Sequence, residues 1–146
     1  MITWTDSLEI GVRSIDAEHK RLIEFINLVE TVSASQRSRL NNVKLLSDLR
    51  ALLQAHFEKE EDLMFGIDYP GVNTHMTAHS TLQSDFGARI LETGHSGTMD
   101  DAVGFVADWM LNHLKTEDAS LALFIRQKKT ARTAAAPARR AAGAKR

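Results

Sequence analysis

The 146-residue chain contains no cysteine. Disulfides, thiolate-bound zinc, iron–sulfur clusters and cysteine nucleophiles are therefore excluded, and any metal must be held by histidine, aspartate and glutamate. Long apolar runs are also missing, since the longest extends only from Leu121 to Ile125, well short of the roughly 20 residues of a membrane helix. Residues 1–12 lack the basic and apolar stretches of a signal peptide. We expect a soluble, cytoplasmic protein without a membrane span.

Negative charge is absent from the C-terminal end of the chain. Residues 126–146 carry eight basic and no acidic residues, whereas residues 1–125 carry ten basic and nineteen acidic residues, a net charge of −9. The end of the chain is rich in alanine, arginine and lysine, has no apolar face, and contains Pro137 and Gly143, which interrupt helices. We therefore predict a folded domain over residues 1–126 and a disordered basic tail over residues 127–146.

Three roles are open for this tail. The first role is that of an inert solvated extension. The second is weak attachment to nucleic acid or another anionic surface, and the third is folding back on the acidic domain. The oligomeric state is not indicated by the sequence.

The body of the chain has apolar residues at three- and four-residue steps, which is typical of helices, and no long alternation typical of strands. Four helices are predicted, over about residues 14–33, 38–65, 72–92 and 99–127. Joined by short connections, they predict an all-α fold, an antiparallel up-down-up-down four-helix bundle. The residues before the first helix, including Trp4 and Leu8, are expected to form an N-terminal arm packed on the bundle rather than a fifth helix.

Five of the six histidines lie on the inward stripes of these helices, and every helix contributes at least one. They are His19, His56, His75, His79 and His113. His56 and Glu60 are four residues apart, as are His75 and His79, so each pair projects from one helix face about one turn apart. The sixth, His95, is predicted to lie in a loop at the surface.

These histidines are interpreted as a metal site. One histidine on an apolar stripe is usually a hydrogen-bonded core residue, but burying five without a partner would cost several kcal/mol. Five imidazoles and two carboxylates exceed the four ligands of a structural zinc site, whereas two octahedral iron ions accommodate them. If both carboxylates and a hydroxide or oxide bridge the ions, the iron with three histidines is saturated. The iron with two histidines keeps one coordination position open for a small ligand.

Several segments resemble the hemerythrin family. They are Trp4 with Ile15-Asp16-Ala17-Glu18-His19-Lys20, His56-Phe57-Glu58-Lys59-Glu60-Glu61, Tyr69-Pro70 leading to His75-Met76-Thr77-Ala78-His79, and Trp109-Met110-Leu111-Asn112-His113 to Asp118. One histidine pair is a weak signal, but four segments in this order resemble the family over residues 1 to about 126. The resemblance implies reversible dioxygen binding for storage, transport or delivery, without enzymatic activity. An oxygen or redox sensor acting through a partner protein is the alternative.

The resemblance also implies a role for each ligand. By the resemblance, the saturated iron would be held by His75, His79 and His113, and the iron with an open position by His19 and His56. The two bridging carboxylates would be those of Glu60 and Asp118. Trp109 and Met110, about one turn before His113, are expected to form a wall of the dioxygen pocket.

Helical geometry alone selects a different second bridge. Glu117 is four residues after His113 and shares its face, whereas Asp118 is rotated from that face by about 140° on an ideal helix. A locally widened turn would bring Asp118 inward. Asp16 also has two interpretations, because it either orients the ring of His19 or stabilises the start of the first helix.

Overall fold

The computed structural model describes residues 1–32 and 38–144, with side chains described as far as residue 135 in the C-terminal part. Its elements are a 3-10 turn at Asp6–Leu8 and the helices α1 Arg13–Thr31, α2 Arg39–Gly66, α3 Val72–His95, α4 Met99–Lys115 and α5 Glu117–Ala144. The predicted end of the first helix near Ser33 lies outside the described residues. Within the described part of the chain, no helix is both long and apolar enough to cross a membrane.

The helices form a bundle around a shared core. α1 packs on α2 and α4, and α3 packs on the same two helices. The short connections reverse the chain at each helix end, so that neighbours run antiparallel. Two helix starts are capped by side chains, since Ser38 Oγ accepts a hydrogen bond from the Asn41 amide and Thr98 Oγ1 accepts one from the Asp101 amide. The predicted all-α four-helix bundle is confirmed.

The fourth predicted helix differs from the structure because it is broken at Thr116. The backbone of this residue has φ −115° and ψ −84°, which lies outside the helical region. Its amide donates to the carbonyl of His113, three residues back, at 3.3 Å, which closes the last turn of α4. A single continuous helix over residues 99–127 was therefore wrong, and α5 starts with its own orientation.

Apolar side chains fill the bundle in two clusters with a polar layer between them. The larger cluster includes Leu22, Phe57, Leu82 and Leu114. The smaller cluster includes Ile10, Ile15, Met64, Leu121 and Ile125. Along α1 the chain passes from Ile15 in one cluster to Leu22 in the other, with His19 between them. The polar layer therefore crosses the bundle at the level of the histidines.

The N-terminal arm packs on α1, as predicted. The amide of Ile2 donates to Asn27 Oδ1 and the Asn27 amide group donates back to the Ile2 carbonyl, both at 2.8 Å. Nearer α1, Asp16 accepts hydrogen bonds from the amides of Ile10 (2.8 Å) and Gly11 (3.2 Å). Gly11 has φ +84°, which a residue with a side chain rarely adopts. Asp16 therefore anchors the arm, and its carboxylate is engaged there rather than with a histidine ring.

α5 extends into the basic tail as far as Ala144, and the predicted disorder over residues 127–146 stays a prediction. Alanine and arginine have high helix propensity, which favours extension of an existing helix. Lys128 donates to the Ile67 carbonyl at 2.6 Å and Lys129 donates to the Gly11 carbonyl at 3.0 Å. Residues 130–135 are exposed. Contacts with the bundle thus reach Lys129, slightly beyond the predicted boundary at residue 126.

These two lysines give a test of where the packed domain ends. Truncation after Lys129 is expected to leave the thermal midpoint unchanged, because the removed side chains described by the structure are exposed. Truncation after Gln127 also removes both ammonium–carbonyl hydrogen bonds and should cost about 1 kcal/mol. In thermal unfolding followed by circular dichroism, that lowers the midpoint by about 2–4 °C. Identical midpoints for the two truncations would contradict a structural role for the lysines.

Candidate metal centre

Seven side chains predicted as metal ligands meet in the polar layer, and none is more than 4 % exposed. They come from all five helices: His19, His56, Glu60, His75, His79, His113 and Asp118. His95, predicted to be a surface residue, is exposed at the C-terminal end of α3. The structure thus brings the predicted set together and leaves the sixth histidine outside it.

Three histidines form the first half of the cluster. Nε2 of His113 lies 3.1 Å from Nε2 of His75 and 3.1 Å from Nε2 of His79. Oε2 of Glu60 lies 3.2 Å from the Nε2 atoms of His75 and His79. Oδ1 of Asp118 lies 3.0 Å from Nε2 of His75 and 3.1 Å from Nε2 of His113. Five donor atoms therefore surround one small volume.

Two histidines form the second half. Nε2 of His19 lies 3.6 Å from Oε1 of Glu60 and 3.4 Å from Oδ2 of Asp118. The rings of His19 and His56 are 4.5 Å apart and meet edge to face, and Nε2 of His56 lies 3.9 Å from Glu60 Oε2. Each carboxylate therefore turns one oxygen towards the three-histidine group and its other oxygen towards His19.

The donor spacing distinguishes between metal geometries. Neighbouring ligands of an octahedral ion with bonds of about 2.1 Å lie about 3.0 Å apart, whereas those of a tetrahedral ion lie about 3.4 Å apart. The separations of 3.0 to 3.2 Å in the three-histidine group match the octahedral value. The residues fit a metal site with octahedral spacing.

Unpartnered polar atoms support the same conclusion. Both ring nitrogens of His19, Oε1 of Glu60 and both carboxylate oxygens of Asp118 are buried without a hydrogen-bond partner. Leaving a buried polar atom unpaired costs about 1–3 kcal/mol, and more when it is charged. A bound cation supplies the missing partner for the atoms that face the cluster.

Burial and hydrogen bonding set the protonation of the cluster. Burial alone would raise the pKa of Glu60, but hydrogen bonds from two histidines outweigh it and hold that pKa well below its usual range. The pKa of Asp118 is also lowered, because histidine contacts outweigh burial and the nearby Glu60 charge. Burial lowers the pKa of His19. For His75 the effect of burial is outweighed by the adjacent carboxylates of Asp118 and Glu60, which raise its pKa to about 9. A metal ion bound by His75 would have to displace a proton from this ring.

The outer nitrogens of two rings face carboxylates from neighbouring helices. His56 Nδ1 donates to Glu18 at 3.0 Å, and His79 Nδ1 donates to Glu61 at 2.9 Å. Lys59 pairs with Glu18 in turn. Such a partner fixes the tautomer, so that the Nε2 lone pair points into the cluster. The sequence did not identify Glu18 or Glu61 in this role.

The break at Thr116 places the two competing acids on different sides of one ring. Asp118 is fully buried, with Oδ1 against Nε2 of His113. Glu117 lies at the surface, with Oε2 3.4 Å from Nδ1 of the same ring. The inward position that the resemblance implied for Asp118 is therefore the observed one. The break before α5 turns Glu117 to the outer side of this ring, and the role of Asp118 as the second bridge stays a prediction.

Aromatic rings cover the three-histidine group. Phe57 stacks on His79, with ring centroids 3.9 Å apart and an interplanar angle of 9°. Trp109 stacks on His113, with centroids 4.3 Å apart and an angle of 15°. Met110 is buried in the larger apolar cluster. Trp109 thus lies beside the three-histidine group, and the predicted contact of Trp109 and Met110 with dioxygen stays a prediction.

The carboxylate behind His79 should tune metal affinity without being a ligand. Glu61→Ala is expected to weaken metal binding about 10- to 100-fold, because the ring of His79 loses its orienting acceptor. Competition against chelators of graded strength measures the change. Asp62→Ala is the matched control, since Asp62 is the next residue of α2 and is exposed. Equal affinity of the two variants would show that Glu61 does not support the site.

Comparison with known proteins agrees with this geometry. The family model described as the hemerythrin HHE cation binding domain matches residues 10–124. The chain is 27 % identical over 121 residues to a bacteriohemerythrin of Pseudomonas paraeruginosa, covering 81 % of this chain and 77 % of the relative. It is 24 % identical over 126 residues to a bacteriohemerythrin of Clostridium acetobutylicum, covering 81 % and 96 %. A hemerythrin-like protein of Naegleria gruberi is 26 % identical over 115 residues, covering 79 % and 86 %. With its polar layer of histidines and carboxylates inside the matched segment, the chain belongs to the hemerythrin family.

Proposed function

We propose that this protein binds dioxygen reversibly at a non-heme diiron centre in the polar layer. The observation that carries the proposal is the unequal division of donors, five atoms around one position and four around the other. One iron would be held by His75, His79 and His113, the other by His19 and His56, and both by Glu60 and Asp118. Two ferrous ions held there would supply the reversible binding of dioxygen.

The division of donors leaves room for one small ligand. The three-histidine group offers five donor atoms, whereas the side of His19 and His56 offers four. The side with fewer protein donors, between α1 and α2, would therefore take a small ligand such as dioxygen.

The protein's own residues keep this side dry. His19 is completely buried, and the ring of Trp4, from the N-terminal arm, lies 6.5 Å from its ring. The ammonium group of Lys20 lies 5.1 Å from the centre of Trp4. The arm therefore covers the two-histidine side. Exclusion of water and protons favours release of dioxygen over its irreversible reduction, and Trp109 and Met110 are the proposed wall on the α4 side.

We propose a carrier rather than an enzyme, because five histidines and two carboxylates differ from the carboxylate-rich Glu-x-x-His sites of oxygen-activating bundles. A sensor acting through a partner protein is the second candidate, and one observation favours it. Asp118 reaches the polar layer from the first turn of α5, and the same helix continues into the basic tail. A shift of Asp118 on a change at the metal centre would therefore move α5 and the basic tail that continues it.

Repeated oxygenation tests the proposal. The iron-loaded protein is reduced under argon, exposed to oxygen and returned to argon while its optical spectrum is recorded. A carrier develops visible absorption that is stable without a reductant and disappears on deoxygenation through several cycles. Continuous oxygen consumption with a reductant, and no stable oxygenated spectrum, would show an enzyme instead. Loss of the signal within one cycle would contradict reversible binding.

A further inference from the structure

We propose that the basic extension of α5 binds double-stranded nucleic acid through its phosphates, without preference for sequence. Residues 126–146 carry eight cations and no acid. A duplex presents one negative charge for about every 1.7 Å of its axis, and phosphate neutralisation by lysine and arginine provides most of the affinity in non-specific binding. The charge of the tail is therefore complementary to this class of partner.

The described cations share one side of the helix. At about 100° per residue, Arg126, Lys128, Lys129 and Arg132 fall within an arc of about 160°. Lys128 and Lys129 donate to carbonyl oxygens rather than to carboxylates, so their charges are not neutralised by those contacts. Arg126 and Arg132 are exposed. A helix with its cations on one side presents them together to a rod-like polyanion.

Over the side chains that the structure describes, the extension does not fold onto the acidic domain beyond Lys129. α5 passes through Lys129 as one helix, and residues 130–135 are exposed. Residues 1–125 carry a net charge of −9, which repels a nucleic acid. Binding is therefore expected at the extension rather than along the acidic bundle.

The composition argues against a lipid surface as the partner. A helix that lies in a membrane interface buries large apolar side chains such as leucine, phenylalanine and tryptophan. After Ile125 the chain contains none of these residues, and alanine is its main apolar residue. Phosphate binding requires only the cations, which the extension has.

Duplex binding by the full-length, iron-loaded protein tests this proposal. The outcome of this test does not depend on the proposed oxygen-binding function. A fluorescently labelled 20-base-pair DNA of arbitrary sequence is titrated between 50 and 200 mM salt, and anisotropy is measured. The test variant replaces Arg132, Arg139, Arg140, Lys145 and Arg146 by glutamine. The control variant replaces the four arginines of this set by lysine, which keeps the charge.

Because five of eight cations are removed, the slope of log affinity against log salt should fall from about −7 in the native protein to about −3 in the glutamine variant. The lysine control should retain the native slope, and a second duplex of different sequence should bind equally well. Iron content and the optical spectrum should not change in either variant, because the proposed ligands precede the substituted residues.

Three results would overturn the proposal. They are no duplex binding by the native protein at 50 mM salt, equal binding by the glutamine variant, and a strong dependence on DNA sequence. Tighter binding to vesicles of phosphatidylglycerol than to the duplex, measured at the same salt, would assign the extension to a membrane surface instead.

Discussion

Replacing Asp118 by alanine is expected to destroy the dinuclear centre. One oxygen of this carboxylate lies 3.0 Å from His75 Nε2 and the other lies 3.4 Å from His19 Nε2, so the substitution removes a donor from both halves. Iron content, measured by atomic emission after removal of loosely bound metal, should fall from two ions per chain to one or none. The oxygenated spectrum should be absent.

Glu117→Ala is the matched control for this substitution. Glu117 is the preceding residue but faces the outer nitrogen of His113. Its loss should leave two irons per chain in an iron-replete preparation and weaken their affinity about tenfold, as expected for a partner of a ligand ring. Retention of the dinuclear spectrum in Asp118→Ala, together with its loss in Glu117→Ala, would reverse the assignment of the second bridge.

Glu60→Ala is expected to have an effect nearly as large. Its two oxygens face different halves of the cluster, at 3.2 Å from His75 Nε2 and 3.6 Å from His19 Nε2. The substitution would therefore remove a proposed donor to both irons. We expect no oxygenated spectrum and at most one weakly held iron per chain, and circular dichroism before iron loading checks that the bundle still folds.

The comparison for Glu60 is His79→Ala, which removes one of three imidazoles from a single half. This variant should keep more iron than Glu60→Ala, because the donors around His19 and His56 remain complete. An exposed residue of the same helix, Glu58, provides the control for general effects of removing a charge from α2. Equal iron loss in the two buried variants would argue against a bridge at Glu60.

The sequence predicted which side chains meet in the polar layer because helical periodicity shows which residues share a face. His56 with Glu60, and His75 with His79, are such pairs, and the structure places all four in the polar layer. Four short-linked helices with inward histidines were enough to predict the bundle. Periodicity could not place Asp118, because its position depends on one non-helical residue, Thr116.

Periodicity also could not predict the hydrogen bonds between side chains of different helices. Glu18 and His56 are separated by 38 positions, and Glu61 and His79 by 18. Their hydrogen bonds depend on the rotation of one helix against another, which spacing within a helix does not report. The composition of the tail did not predict the extension of α5 to Ala144, which starts from an already formed helix end.

The central claim is that this chain holds two irons in unequal coordination, and Mössbauer spectroscopy of the anaerobically reduced, ⁵⁷Fe-loaded protein tests it most directly. Five donors beside His113 and four beside His19 predict two ferrous signals of equal area with different parameters, together with two irons per chain. A single iron per chain, or a fully loaded protein that contains one zinc and no iron, would contradict the account.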